Sequence, residues 1–401
     1  MLVALMTFVF NLGQRLGEAK NPGAVQIANF KAATEAAEKE RDEARANTAK
    51  HSSDIRRYLA LKEALIGGEK SLWNSHQPAP YDSYDKDMGS NDLHVLTIMN
   101  LKGGVGKTTI ATNLAAHLDL ALNKRVLVVD LDYQGSATAA MFRMMQYDAL
   151  PYQHAKRIFA PTSEQPSLPE LALRMSNSLT RTDLVPCSYE FAAVENKQMV
   201  GWLFQELGYD PRYCLPSVLY SEEFRNHYDI VIIDAPPRLS LGAINAITAC
   251  QTLLIPTIPD LMSTEAVGNF VSQLDSLGGL LHPALHKLLL GVNRSDSTEL
   301  KESEERLIQR SLKYSESWNG IMRRVPQNIP DRVVFSKALA QQTLAYLLDD
   351  NVAKKKIRTA LEEFGDFVAH EMRSEERRVG KGCRSRWSPE HEKDKRMRRK
   401  A

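Results

Sequence analysis

Residues 94–122 run from a short apolar stretch, HVLTIM, through NLKGGVGKTT and into TTIATNLAAHLDLAL, a string of good helix formers. A strand that ends in a glycine-rich turn and re-enters as a helix leaves few architectures open. Gly103, Gly104 and Gly106 let the backbone curl with its amides pointing inward as an anion nest, and the helix adds its positive N-terminal end. Lys107 is placed to reach phosphates, and the Thr108 hydroxyl is placed to hold Mg²⁺. The general phosphate-loop pattern G-x-x-x-x-G-K-[ST] fails at its first position, where Leu101 stands, and the next residue is Lys102. The loop therefore carries two lysines, with Gly103, Gly104, Val105 and Gly106 between them.

The texture that surrounds the loop is repetitive. RVLVVDLD, DLVPCS, YDIVIIDAPP, TLLIPTIP and KLLLGVNR are apolar runs separated by helical stretches. Continuous apolar strands alternating with helices argue for a parallel sheet covered on both faces. The expected fold is α/β: a doubly wound, mostly parallel sheet with a deviant phosphate loop over residues 93–372, preceded by an N-terminal helical region at 1–68. Within that region two helices are expected, with Ser53 or Asp54 capping the second and Gly67 ending it. Residues 69–92 are polar and contain Pro and Gly, as a linker does.

Charge is unevenly spread. Residues 373–401 hold twelve Lys/Arg against five Asp/Glu, a net of +7, which leaves −5 on the rest of a chain whose total is +2. A disordered basic arm touching nucleic acid is one reading of such a tail. Its wording, RSEERRVGKGCRSRWSP, also resembles the conceptual translation of a sequencing-adapter oligonucleotide, and the tail is expected to be such an artefact. Four cysteines lie far apart without CxxC spacing, and ten histidines show no ligand spacing, so neither a disulfide framework nor a zinc site is expected. No apolar run is long enough to cross a bilayer. The opening MLVALMTFVF lacks a basic n-region and a cleavage site, and is expected to be a buried helix end or a doubtful start rather than a signal peptide.

KGGVGKTT resembles the deviant Walker A motif of the ParA/MinD ATPases, and five later segments resemble that family in order. VLVVDLDYQGSAT is similar to its VDLDPQG segment, with Tyr133 where Pro is usual. DLVPCSYEFAAVE, YDIVIIDAPPRLS, TLLIPTIPDLMSTEAVGNF and IPDRVVFSKAL are similar to the segments that follow. The resemblance implies a partition ATPase of cytoplasmic, nucleoid-associated location. It would form an ATP-dependent homodimer, bind DNA without sequence preference, and hydrolyse ATP slowly under stimulation by a ParB-like centromere-binding protein. It also implies roles. Lys102 would reach the partner subunit's phosphates and Lys107 its own. Gly103, Gly104, Val105, Gly106, Lys107, Thr108 and Thr109 would cradle ATP. Asp132 would orient the attacking water, Asp130 would stand on the Mg²⁺ side, and Asp234 would reach Mg²⁺ through water. Asn293, followed by Arg294, would meet adenine, although NR after a strand equally suits a helix cap or a surface turn.

Two related readings stay open on the sequence. A MinD-like division-site ATPase would need an amphipathic membrane helix near the C-terminus, and NVAKKKIRTALEEFGDFVAHEM suits packing better. A repressor of its own partition operon would need an N-terminal helix-turn-helix, and residues 1–92 show no convincing tight-turned pair. With an acidic body, DNA contact would fall to a local patch, the candidates being Arg294, Arg323, Arg324, Arg332, Lys337 and Lys354–Lys356.

Overall fold

The computed structural model describes residues 22–66, 72–89, 93–147, 154–159, 166–175, 178–281, 285, 287–295, 299–318, 320–330, 333–348 and 352–373. The apolar opening decapeptide, Gly67, Arg332 and the basic tail from residue 374 onward fall outside them. The chain separates into two compact units, Met1–Gly67 and Gly68–Ala401.

Among the described residues the first unit is one continuous helix, α1 (Pro22–Ile66), rather than the expected pair. From Ala24 to Ile66 the sequence holds neither Gly nor Pro, so nothing forces a break. Ser53 and Asp54 sit inside that helix instead of capping a new one. Phe30, Ile55, Tyr58 and Ile66 stand exposed along it.

In the second unit a mostly parallel sheet forms from β1 (His94–Ile98), β2 (Val126–Asp130), β3 (Leu173–Arg174), β4 (Thr182–Val185), β5 (Ile230–Asp234), β6 (Thr252–Thr257), β7 (Lys287–Ser295), β8 (Ile321–Arg324) and β9 (Ile329–Pro330). Their order is β3-β4-β2-β5-β1-β6-β7-β8, with β9 also paired to β7. Only the short edge strand β3 runs antiparallel to its neighbour among the described pairings. The five residues of β1, of β2 and of β5 are almost all fully buried. That fits strands covered on both faces, which carry apolar side chains without alternation.

The helices used below are α2 (Lys107–Leu120), α3 (Ser136–Met145), α4 (Glu190–Leu203), α5 (Leu241–Ala249), α6 (Leu261–Leu281), α7 (Glu302–Lys313), α8 (Val333–Ala340) and α9 (Val352–Arg373). The apolar face of α9, with Ile357, Leu361, Phe364 and Val368, belongs to the same buried cluster as Leu114 and Leu118 of α2. The face that a membrane-binding reading would need exposed is thus inside the core. No described helix is long and apolar enough to cross a membrane.

The stretch expected as a linker is packed into the domain. Trp73 is 1 % exposed, stacks on Trp202 at 5.4 Å between centroids, and donates its indole N–H to Leu239 O at 2.7 Å. Tyr84 is buried and donates to Thr248 O at 2.7 Å. Its Pro, Gly and polar residues shape the path of a strap, while the few aromatics between them anchor it. β8 and β9 were not expected either, being too short to carry a periodic signal.

Candidate functional site

The register of three adjacent strands builds the site. Ile98 of β1 pairs with Asp234 of β5, and Asp130 of β2 pairs with Asp234 from the other side. The three loops that leave these strands therefore emerge together, where the strand order reverses across β1, the usual ligand crevice of an open α/β sheet.

The first of these loops holds residues 100–106. Gly104 and Gly106 have φ of +77° and +91°, a region L-residues with side chains rarely enter. A Cβ on Gly103 or Gly104 would meet nothing within 4 Å, so the loop borders open space. Gly106 is different: a Cβ there would lie 1.9 Å from Asn293 Nδ2. That amide donates to Val105 O at 2.8 Å, and Arg294 Nη1 donates to Gly104 O at 3.2 Å. The structure thus sets Asn293 under the loop as a brace, which the sequence pattern did not suggest.

The two lysines diverge. Lys107 opens α2, is 8 % exposed, and points its ammonium back to Lys102 O at 3.3 Å. Burial pulls its pKa down, and the charges of Asp234 and Asp132 oppose that shift. Lys102 turns the other way. Its Nζ lies 3.1 Å from Asp260 Oδ1 and 2.8 Å from Ser263 Oγ, at the N-terminus of α6. Asp260 itself caps that helix, accepting from Ser263 N at 2.7 Å. Sequence reasoning missed Asp260, although an Asp three residues before a Ser at a helix start is a legible cap signal.

Thr108 Oγ1 donates to Asp234 Oδ2 at 2.7 Å. The other oxygen, Asp234 Oδ1, is buried without a hydrogen-bond partner. A buried carboxylate oxygen left without a donor suits a cation or its water shell. Among the described residues no group of three or more His, Cys, Asp and Glu could hold a metal ion. A cation here would therefore need phosphate and water oxygens as further ligands, the habit of Mg²⁺.

Asp130 is fully buried, and its oxygens are taken: Oδ2 accepts from Thr138 N at 2.9 Å and Thr138 Oγ1 at 2.8 Å, and Oδ1 accepts from Asp132 N at 3.1 Å. It ties β2 to the start of α3 rather than facing the cleft. Desolvation, with the neighbouring Asp234 charge, raises its pKa, and desolvation likewise raises that of Asp234. Asp132 is half-buried and accepts from Gln134 N at 3.0 Å. With Lys107, Thr108 and Thr109 it lines a cavity of about 400 Å³ that also touches Gly103, Gly104 and Gly106. The structure thus gathers the loop glycines, Lys107, Thr108, Thr109, Asp132 and Asn293 on one cavity, with Asp234 behind it, and sets Lys102 apart.

A family profile described as an AAA domain matches residues 93–287. Over 250 residues the chain is 29 % identical to the chromosome-partitioning ATPase Soj of Thermus thermophilus, covering 61 % of this chain and 87 % of that protein. It is 31 % identical over 206 residues to the chromosome partitioning protein ParA of Caulobacter vibrioides, covering 49 % of this chain and 68 % of that one. Among solved structures, apo McdA from Cyanothece superposes with a TM-score of 0.53 at 18 % identity, covering 69 % of this chain and 99 % of the other, a likeness of fold.

Proposed function

The chain belongs to the ParA family of partition ATPases, and we propose that it is the ATP-gated, DNA-binding member of a segregation system. The loop amides and Lys107 would hold the phosphates of ATP. Thr108 and Asp234, with its unpartnered Oδ1, would hold Mg²⁺. Bound there, Mg²⁺ supplies neutralising charge to the phosphates. Asp132, on the same cavity, would orient the attacking water.

One observation carries the reading. Lys107 turns toward its own loop, whereas Lys102 is held outside it by Asp260 and Ser263. A lysine that the chain does not spend on its own phosphates is available for those of a second copy across a nucleotide sandwich, where facing negative charges need a cation. ATP would then act by binding the dimer better than the monomer.

DNA contact would belong to the dimer and be independent of sequence. Arg323 is ion-paired to Glu371, and Arg324 donates from Nη1 to both oxygens of Glu305 and from Nη2 to Asn328 Oδ1, so both serve the fold. Arg294 serves the phosphate loop. Lys337, Lys355 and Lys356 are exposed, and remain the better candidates. A ParB-like protein would stimulate hydrolysis and release the dimer from the nucleoid. The unbroken α1 gives no support, within residues 22–66, to a helix-turn-helix repressor.

Sedimentation of the full chain with a non-hydrolysable ATP analogue tests this. Wild type should dimerise. Lys107→Ala should lose the nucleotide, and Lys102→Ala should keep it but remain monomeric. Normal dimerisation of Lys102→Ala would overturn the reading. DNA retention should need ATP and weaken steeply with salt, through counterion release.

A further inference from the structure

Asp132 sits on a loop, and loops need an external fix if a carboxylate is to hold a water in place. The residue after it, Tyr133, is unusual: the resemblance to the partition ATPases has Pro there. A proline stiffens the backbone by itself, because its ring locks φ. Tyrosine has no such lock, but its side chain can add a hold beyond the backbone bonds that Asp132 makes with Asp130 and Gln134.

The side chain is engaged. The guanidinium carbon of Arg238 lies 4.9 Å from the centroid of the Tyr133 ring. Tyr189 meets the same ring edge-on at 5.8 Å. Arg238 belongs to the loop that follows Asp234, so the contact joins the two loops leaving β2 and β5. Arg238 is anchored in turn, its Nη2 donating to Glu195 Oε2 at 3.1 Å. Glu195 is 4 % exposed, and its other oxygen accepts from Ser240 Oγ at 2.6 Å and Gly242 N at 2.7 Å, at the start of α5. From Asp132 to α5 the path runs through contacts of fixed geometry.

We propose that Tyr133 and Arg238 form a latch that positions Asp132 for hydrolysis, holding the loop after β2 to the loop after β5. Both are positioning residues, and the inference rests on the reading of Asp132 as the water-orienting group. The latch leaves the phosphate loop alone, so it bears on turnover and not on ATP affinity.

Steady-state ATP hydrolysis by the full chain tests it. Tyr133→Leu should lower kcat about threefold to tenfold, the range a partly desolvated cation–π contact spans, with KM for ATP unchanged. Tyr133→Phe keeps the ring and should restore the wild-type kcat. Arg238→Ala should lower kcat similarly, and the double variant Tyr133→Leu/Arg238→Ala should be no slower than the slower single one. A wild-type kcat in Tyr133→Leu overturns the latch, as do a KM that rises as kcat falls, multiplicative losses in the double variant, or a slow Tyr133→Phe. Asp132→Ala, assayed alongside, separates the two levels. If it hydrolyses ATP normally, the reading of Asp132 fails and the latch with it. If it is inactive while Tyr133→Leu is normal, the latch alone fails.

Discussion

The ammonium of Lys102 lies 3.1 Å from Asp260 Oδ1, in the same chain and away from the phosphate loop's other lysine. Both side chains are partly exposed, at 29 % and 42 %. An ion pair of that exposure contributes about 0.2–1 kcal/mol. Releasing Lys102 is thus a small cost to be met when a second subunit offers phosphates. Because each dimer releases two such pairs, Asp260→Asn should shift the analogue-dependent monomer–dimer equilibrium toward dimer by about twofold to thirtyfold. Sedimentation velocity over a protein dilution series measures this directly, and a shift toward monomer would mean that Asp260 helps to assemble the dimer.

Gly106→Ala should abolish nucleotide binding. The backbone there is left-handed, which costs a residue with a Cβ about 1–2 kcal/mol. The new methyl would also fall 1.9 Å from Asn293 Nδ2, displacing the amide that donates to Val105 O. Calorimetric titration with ADP reads the loss. Adding Asn293→Ala should recover part of the affinity by removing the collision; no recovery would assign the whole effect to φ.

How much of this was legible in the sequence depends on distance along the chain. The phosphate loop, β1, β2, β5 and the carboxylates at their ends follow from local patterns, because strand, glycine turn and helix are consecutive. Asp260 is 158 residues from Lys102 and Asn293 is 188 from Val105, so only the fold makes them neighbours. The same is true of Arg238 beside Tyr133. Asp130 read as a site carboxylate because it ends a strand two residues before Asp132, yet its Oδ2 accepts twice from Thr138 of α3, a contact made by the chain's return. The strap at 72–89 misled for a different reason: composition averages over a window, and here two buried aromatics, Trp73 and Tyr84, outweigh their polar surroundings.

Acid should weaken the domain through His154. This side chain is buried, with Nε2 2.8 Å from Ser188 Oγ and Nδ1 accepting from Lys156 N at 3.0 Å. Protonation would put a donor against that amide. Desolvation, then the Lys156 charge, pulls the pKa down from 6.5 to about 4; Glu190 opposes this and Arg157 adds to it. The folded state thus binds the proton less readily than the unfolded state. The stabilisation is fully present above pH about 6.5 and is lost as pH falls toward 4. Thermal melts between pH 7.5 and pH 5, in roughly half-unit steps, should show a decline in Tm that is shallower in His154→Gln. Parallel curves for the two proteins would remove His154 from the account.

The strap that precedes β1 should be indispensable to the domain. Arg212 is fully buried with Asp210 and donates to three strap carbonyls, those of Trp73 at 2.8 Å, His76 at 3.1 Å and Gln77 at 2.9 Å. Asp210 Oδ2 accepts from Ala79 N at 3.0 Å. Removing the strap would strip acceptors from a buried cation and uncover Trp202, on which both Trp73 and Arg212 stack. Breaking one side of such a buried charged cluster costs about 3–5 kcal/mol, and Trp73→Ala alone should cost about as much through the cavity it leaves. At about 2–4 °C per kcal/mol for a domain of this size, Trp73→Ala should melt roughly 6–20 °C below wild type. A chain beginning at Gly68 should melt like the full-length protein, whereas one beginning at Leu93 should be largely unfolded or insoluble. Circular dichroism melts of the three chains decide the matter. If the Leu93 chain melts within a few degrees of wild type, the strap is a passive tether after all, and its loss leaves Trp202 and Arg212 satisfied by other means.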